Sequence, residues 1–341
     1  MAIPARRLST LPLPAAISAI QIVQSAAKPN VTVNELTELC QKDPALGARV
    51  LAYVNSTGFG LNRRVTGIQH AVALLGIRGT RNLALAMCVV DMAPQGEAGN
   101  DLLTVCLRRG VTAKLLAEKL GRPNIDDYFA LGLLLDVGLL IKARNDVDAC
   151  AKVARSPAQT RITLERAAGQ EDHAKLGARL ARSWQLGEEI ANAILQHHDR
   201  PPPSSQLGTA AWLTESMAAV FESGEAAKSR SLAIEAAVLI DVPANTIDDI
   251  LRSAPLALTN AARHFGRELG PQASIDALLR DTNEALVDLN RNYAEVMRKL
   301  EALLKEKDDL ATALKQADEK LSTLALTDEL TGLPNQRAFR E

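Results

Sequence analysis

Apolar residues recur at three- and four-residue steps along nearly the whole chain, which is the helical period. The most regular stretch lies near the C-terminal end. Leu286, Leu289, Tyr293, Val296, Leu300, Leu303, Lys307, Leu310, Leu314, Ala317, Leu321 and Leu324 alternate steps of three and four without a break, and Ile275 and Leu279 extend the pattern backwards. An a/d seam of this length winds around a partner helix rather than lying on its own domain. At 1.5 Å per residue its unbroken part is roughly 60 Å long. Lys307 is the one charged residue in the seam. A polar a position fixes register at a cost in stability, so Lys307 is the candidate switch of a coiled coil.

The rest of the chain predicts shorter helices. Leu13, Ile17, Ile20, Val23 and Ala27 share one face of a first helix. Thr32 and Glu35 form a capping box for a helix through Cys40. Pro44 opens the next, Thr66 caps one through Leu75, and Ile77 begins another to Met92. Further helices are predicted over 101–120, 125–142, 145–155, 172–183, 187–198, 206–222, 228–239, 245–252 and 256–268, with Pro243, Pro255 and Pro271 as breaks. No stretch alternates with period two, so no sheet is expected and the fold class is all-α. The boundaries this suggests are 1–98 and 99–270 for two helical subdomains, 271–326 for the coiled-coil helix and 327–341 for the beginning of something further.

Composition narrows the partners. The formal net charge is −1 and aromatics make up 3 %, so neither the basic patch nor the stacking rings of a nucleic-acid surface are expected. Cys40, Cys88, Cys106 and Cys150 sit singly in apolar helical contexts and read as small core residues of a reducing cytoplasm. Arg6-Arg7 precedes a run interrupted by Pro12, Pro14, Ser18, Gln21 and Gln24, unlike a secretory signal. Phe129 to Ile141 is short for a membrane span and carries Asp136. No membrane association is expected, and the localisation expected is cytoplasmic.

One constellation carries chemistry. Asp136 lies late in one predicted helix, His173 opens another, and His197-His198 close a third. Histidine and aspartate on separate helices are how helical bundles build metal sites. The residues also permit a polar relic in which Asp136 pairs with Arg109 and His173 with His197 or His198.

The stretch from about Leu13 to Arg267 resembles an HDOD domain, the regulatory branch of the HD phosphohydrolases. The likeness rests on Leu11-Pro12-Leu13-Pro14, Asp43-Pro44-Ala45-Leu46, Val54-Asn55-Ser56, Ala71 to Gly76 followed by Arg78 and Arg81, Gly132-Leu133-Leu134-x-Asp136-x-Gly138, and the late His-His. In active HD enzymes a His-Asp dyad, an upstream histidine and further His and Asp residues hold one or two metals. On that pattern the dyad histidine is Leu135, with Asp136 remaining. The upstream histidine falls at about Arg109, and no aspartate stands between Ser205 and Gly224. His173, His197 and His198 match positions where the HD-GYP branch has ligands. The resemblance therefore implies a degenerate site, with no catalytic residue, no metal and no cofactor.

After the seam, Asp328-x-Leu330-Thr331-Gly332-Leu333-x-Asn335-x-Arg337 resembles the opening of GGDEF domains, the diguanylate cyclases, with Gln336 where that family usually has Arg. The family's active-site loop lies downstream of Glu341, so magnesium and GTP are expected only if a cyclase domain follows. The expected function is a non-catalytic regulatory input domain and transmission helix of an HDOD–GGDEF signalling protein controlling cyclic di-GMP synthesis. It would be a homodimer through a parallel coiled coil, with a second signalling protein as a further candidate partner on the HDOD surface. The alternatives are a metal-dependent HD-type phosphohydrolase using the remnant residues, and a protein-binding scaffold.

Overall fold

The structure, a computed structural model, describes residues 14–56, 63–200, 202–222, 224–328 and 332–334. Among these every regular element is helical, and the one β-bridge, between Thr327 and Pro334, belongs to a turn. The chain is all-α, as its periodicity predicts. It divides into two compact units, residues 1–280 and 281–341.

In the first unit, α1 (Pro14–Ala26), α2 (Val33–Lys42) and α3 (Pro44–Val54) pack on α4 (Ile68–Met92). Their starts are written locally. Thr32 and Glu35 cap each other's backbone N–H at 3.2 Å, and Asp43 accepts from Ala45 N and Leu46 N at 3.0 and 3.1 Å. The predicted corner after α3 lies partly outside the described residues (57–62), but Asn55 clamps its far side, exchanging two 2.8 Å hydrogen bonds with the backbone of Val65. α4 begins after Gly67 with no side-chain cap, so Thr66 does not play that part. Gly76, at φ 67° and ψ −179°, kinks α4 where two helices were expected. Only glycine adopts that conformation readily. By length and composition α4 could cross a membrane, yet Leu83 to Val90 are buried in the body's core.

Next come α5 (Glu97–Lys119), α6 (Ile125–Leu134), α7 (Val137–Ala143), α8 (Val147–Ala154), α9 (Ala158–Ala167), α10 (His173–Ser183) and α11 (Glu188–Gln196). The single helix expected over 125–142 is broken at Leu135 and Asp136, where Asp136 takes φ −102° and ψ 13°. α9 escapes hydrophobic periodicity because its buried face is Ala158, Arg161 and Glu165. α12 (Gln206–Ala218) runs into a 3₁₀ turn at Ala219–Phe221, followed by α13 (Ala226–Val238) and α14 (Ala244–His264). α14 passes through Pro255, where a break was expected. Ile247, Ile250, Leu251, Ala254, Leu258 and Ala262 form one buried stripe across it. Their burial outweighs the ~3 kcal/mol cost of an interior proline.

The unit has two apolar clusters, and α5 serves both. Leu102 to Leu107 belong to the first, while Ala113, Leu116 and Ala117 belong to the second with α12, α13 and α14. Between them α5 buries Arg108, Arg109 and Thr112. The four described cysteines are free and buried.

The 52-residue α15 (Ile275–Leu326) begins inside this unit, with Ile275 in the second cluster and Leu278 and Leu279 against it. In the second unit, every described side chain from Asn283 to Ala325 is exposed, including Leu289, Leu303, Lys307, Leu310 and Leu324. Beyond the helix Gly332, at φ 66°, closes a turn in which Gly332 N donates to Asp328 O and Asp328 N to Leu333 O, both at 2.9 Å. Leu330, Thr331, Asn335 and Arg337 of the predicted motif lie outside the described residues.

Candidate functional site

Two glycines set the site. A Cβ on Gly132 would stand 2.3 Å from Arg109 O, and one on Gly138 would stand 2.1 Å from His173 O. Without side chains there, α6 presses on the backbone of α5 and α7 on that of α10. The break between them carries Asp136 to a point between Arg109 and His173.

Arg109, fully buried, makes a two-pronged pair with Glu215 (Nε to Oε2 2.5 Å, Nη2 to Oε1 3.0 Å). It makes a second with Glu222, at 3.0 and 3.1 Å. Arg161, also fully buried, reaches the same two carboxylates, donating to Glu215 Oε1 at 3.0 Å and Glu222 Oε2 at 2.8 Å. Its remaining N–H groups donate to Ser156 O and Ala154 O. Arg108 adds a looser contact, 3.6 Å from Glu222, and lies over the Phe221 ring at 5.0 Å. Asp136 stands 2.9 Å from Arg109 Nε and 3.7 Å from Arg161 Nη1. The distance to Arg109 is short, but that N–H points at Glu215, so Asp136 accepts no hydrogen bond at either oxygen. Asp136 is balanced by nearby charge alone. Three guanidiniums thus face three carboxylates.

On the other side of Asp136 a chain of donors leads outward. Lys142 Nζ donates to Glu165 Oε1 at 2.5 Å and to Glu171 O at 3.0 Å. Glu165 Oε2 takes the Nδ1–H of His173 at 2.7 Å, and His173 Nε2 lies 3.1 Å from His198 Nε2 and 3.2 Å from Asp136 Oδ1. With its Nδ1 proton directed at a carboxylate, a neutral His173 presents a bare Nε2, which the Nε2–H of His198 fills. His197 gives its Nδ1–H to Ile194 O at 2.6 Å, and its Nε2 has no hydrogen-bond partner.

The charges respond to this packing. Burial alone would raise the Glu215 carboxyl, but Arg109 and Arg161 hold it well below the usual carboxylate range. Burial opposes the charge on Arg109, and Asp136, Glu215 and Glu222 more than restore it. Burial would also raise Glu165, and the hydrogen bonds it accepts from His173 and Lys142 reverse that. Burial pushes His197 down to about 4. His198 keeps some exposed area, yet its ring lies against His173 and His197 at 5.0 and 4.1 Å, and burial pushes it well below 6.5.

All six residues singled out by sequence meet here: Arg109, Asp136, His173, His197 and His198 in the polar centre, and Leu135 in the apolar cluster behind it. Sequence reasoning missed Arg161, Glu165, Glu222 and above all Glu215. An aspartate was sought between 205 and 224, and the buried acid there is a glutamate. It had a signal, since Glu215 is the one charged residue between Gln206 and Phe221.

Residues 11–200, more than half of the chain, match the family model of the HDOD domain. The chain belongs to the HDOD family. Over 187 residues it is 30 % identical to an uncharacterized protein of Treponema pallidum (strain Nichols), a match covering 53 % of this chain and 36 % of that one. Over 122 residues it is 23 % identical to the uncharacterized protein YuxH of Bacillus subtilis (strain 168), covering 36 % and 30 %. The matches therefore span about a third of these curated relatives. A candidate phosphohydrolase from Shewanella amazonensis SB2B shares the fold at a TM-score of 0.56 and 22 % identity, over 76 % of this chain and 97 % of that one. A candidate signal transduction protein from Marinobacter aquaeolei VT8 does so at 0.59 and 19 %, over 78 % and 62 %.

Phosphohydrolases of the HD type imply a metal at the HDOD remnant. Asp136, His173, His197 and His198 do bring four ligand atoms within 4.8 Å of one another. The charge balance does not fit a dication. Asp136 is the one carboxylate of that set, and it is already faced by two guanidiniums that cannot lose their protons. At an effective dielectric of 20, a dication about 5 Å from one such charge is repelled by about 7 kcal/mol. Leu135, wholly buried among apolar side chains, offers no ligand.

Proposed function

We propose that this HDOD chain is the non-catalytic input and transmission segment of a cytoplasmic signalling protein, and that its output is a GGDEF cyclase making cyclic di-GMP. The supporting observation is the stripe from Leu289 to Leu324 on α15, exposed over some ten turns directly after the HDOD body. A stripe this long asks for a second helix of the same pattern. The turn at Asp328, Gly332 and Leu333 follows it at once, where the GGDEF resemblance begins. Diguanylate cyclases join two GTP molecules across a two-fold axis, so a parallel coil would deliver two output domains in the required symmetry. The HDOD body would act by changing the register or stability of that coil.

Light scattering tests this on the full chain and on residues 1–280, which keep both apolar clusters. The full chain should be a dimer and the shorter one a monomer. A monomeric full chain at tens of micromolar, about the concentration at which a coil of this length is saturated, would remove the basis of the proposal.

A further inference from the structure

A cleft of about 310 Å³ lies away from the charged centre, between the end of α5, the start of α6, the start of α12 and the turn after α13. One wall is apolar: Leu116, Ala117, Leu120, Ile240 and Val242. The other holds Arg122, Tyr128, Gln206 and Thr209. Arg122 is the one charged residue lining it, and among the described residues no carboxylate lies within ion-pair distance of Arg122. The arginines of the charged centre are bound by carboxylates. Arg122 instead faces an amide. In the orientation its neighbours require, the Gln206 side-chain oxygen accepts from Arg122 Nη1 at 3.1 Å, Arg122 Nε at 3.3 Å and Tyr128 Oη at 3.2 Å. Thr209 spends its hydroxyl proton on Pro203 O and Ser205 O. Two acids act on Tyr128, Asp127 and Glu189, but neither lines the cleft, and Asp127 is already held by Arg78, Arg81 and Asn82.

We infer that this cleft binds a small organic anion, a carboxylate or phosphate monoester on a compact apolar body, with Arg122 and Tyr128 as its donors and Gln206 as the internal acceptor it displaces. A guanidinium and a phenol converging on one oxygen are donors suited to an anion, and a neutral amide satisfies them less strongly than a charged oxygen. The volume is at the lower end of the ~300–1,000 Å³ usual for ligand sites, which fits one ring or a short branched chain against Leu116, Leu120 and Ile240. The inference does not depend on the signalling role proposed above.

Titration calorimetry on the full chain at fixed ionic strength tests it, with phenyl phosphate, benzoate, inorganic phosphate and neutral benzyl alcohol as probes. Phenyl phosphate or benzoate should bind at least about tenfold more tightly than benzyl alcohol, the size of a charge-assisted hydrogen bond. Which of the two binds better identifies the head group. Arg122→Gln, at an exposed position, should abolish that preference with the melting temperature unchanged. Gln206→Ala should tighten both anions, because it removes the competing acceptor. Equal binding of charged and neutral probes, a preference surviving Arg122→Gln, or weaker binding in Gln206→Ala would each overturn the inference. So would inorganic phosphate binding as tightly as phenyl phosphate, since the apolar wall would then have no part.

Discussion

Around Arg109 six ionised side chains are sealed between two apolar clusters, while along α15 leucine after leucine stands in water. Each region breaks the usual sorting of side chains, in opposite directions. The buried centre balances its charges within one chain: each guanidinium has at least one carboxylate beside it, and Arg109 and Arg161 share two of them. The helix stripe is incomplete within one chain, and its apolar area has value only against a second surface. In the signalling role proposed above, the closed centre would supply rigidity and the open stripe the response.

The two regions should differ most in their response to a change at Arg109. Arg109→Met leaves Glu215, Glu222 and Asp136 in the interior with one fewer cation, and breaking a buried network in this way costs about 3–5 kcal/mol. Melting should fall by about 5–9 °C for a body of this size. Arg109→Lys should recover little of it, because an ammonium cannot serve two carboxylates with a planar fork. In the same melts Leu314→Ser, on the exposed stripe, should leave the body's transition where it is. If Arg109→Met melts within about 2 °C of the parent, a shift small enough to fall within surface-substitution effects, the network is not what joins the two clusters.

How much of this was legible depends on what each region buries. Helices with an apolar face, such as α2, α3 and α10, announced themselves by spacing and caps. So did the heptads of α15, which need no tertiary knowledge to read. α9 was invisible because its inward residues are Arg161 and Glu165, which periodicity counts as solvent-facing. Pro255 misled because a breaker rule is local, whereas the stripe from Ile247 to Ala262 is held by the rest of the fold. The histidines and Asp136 could be grouped through family resemblance. That Glu215 would be the acid facing Arg109 required knowing that α12 and α5 pack together.

The buried centre also predicts a pH dependence that the exposed helix lacks. Burial holds His197 at about 4, against 6.5 for a free imidazole. Between those values the unfolded chain takes up a proton that the native centre refuses. Stability should therefore be flat above about pH 6.5 and fall as the pH drops toward 4, by up to about 3 kcal/mol from this residue. His198 shifts in the same direction and steepens the fall. Glu215 and Glu165, held below their ordinary range, lose their contribution only at lower pH, below the 4.5 of a free glutamate. Urea midpoints at pH 7.5, 6, 5 and 4.5 measure this, and His197→Asn should flatten the upper part of the curve. Midpoints constant from pH 7 to pH 5 would show that His197 is not held neutral by burial.

The smallest effect belongs to Lys307, and it sharpens the account of the open stripe. In a parallel dimer two Lys307 side chains would meet near the axis at an a position and bend outward to keep their charges in water, loosening that heptad. A loosened heptad is where a coil can change register at low cost. Lys307→Leu fills the gap and should stabilise the dimer by about 1–2 kcal/mol through added apolar burial, raising its melting temperature by a few degrees. In a longer protein carrying a cyclase domain, the same change should lock one register and uncouple cyclic di-GMP output from the HDOD body. Both effects are required. A stabilised dimer whose output still follows the HDOD body would make Lys307 a device for choosing the partner helix, and would move the adjustable segment elsewhere on α15.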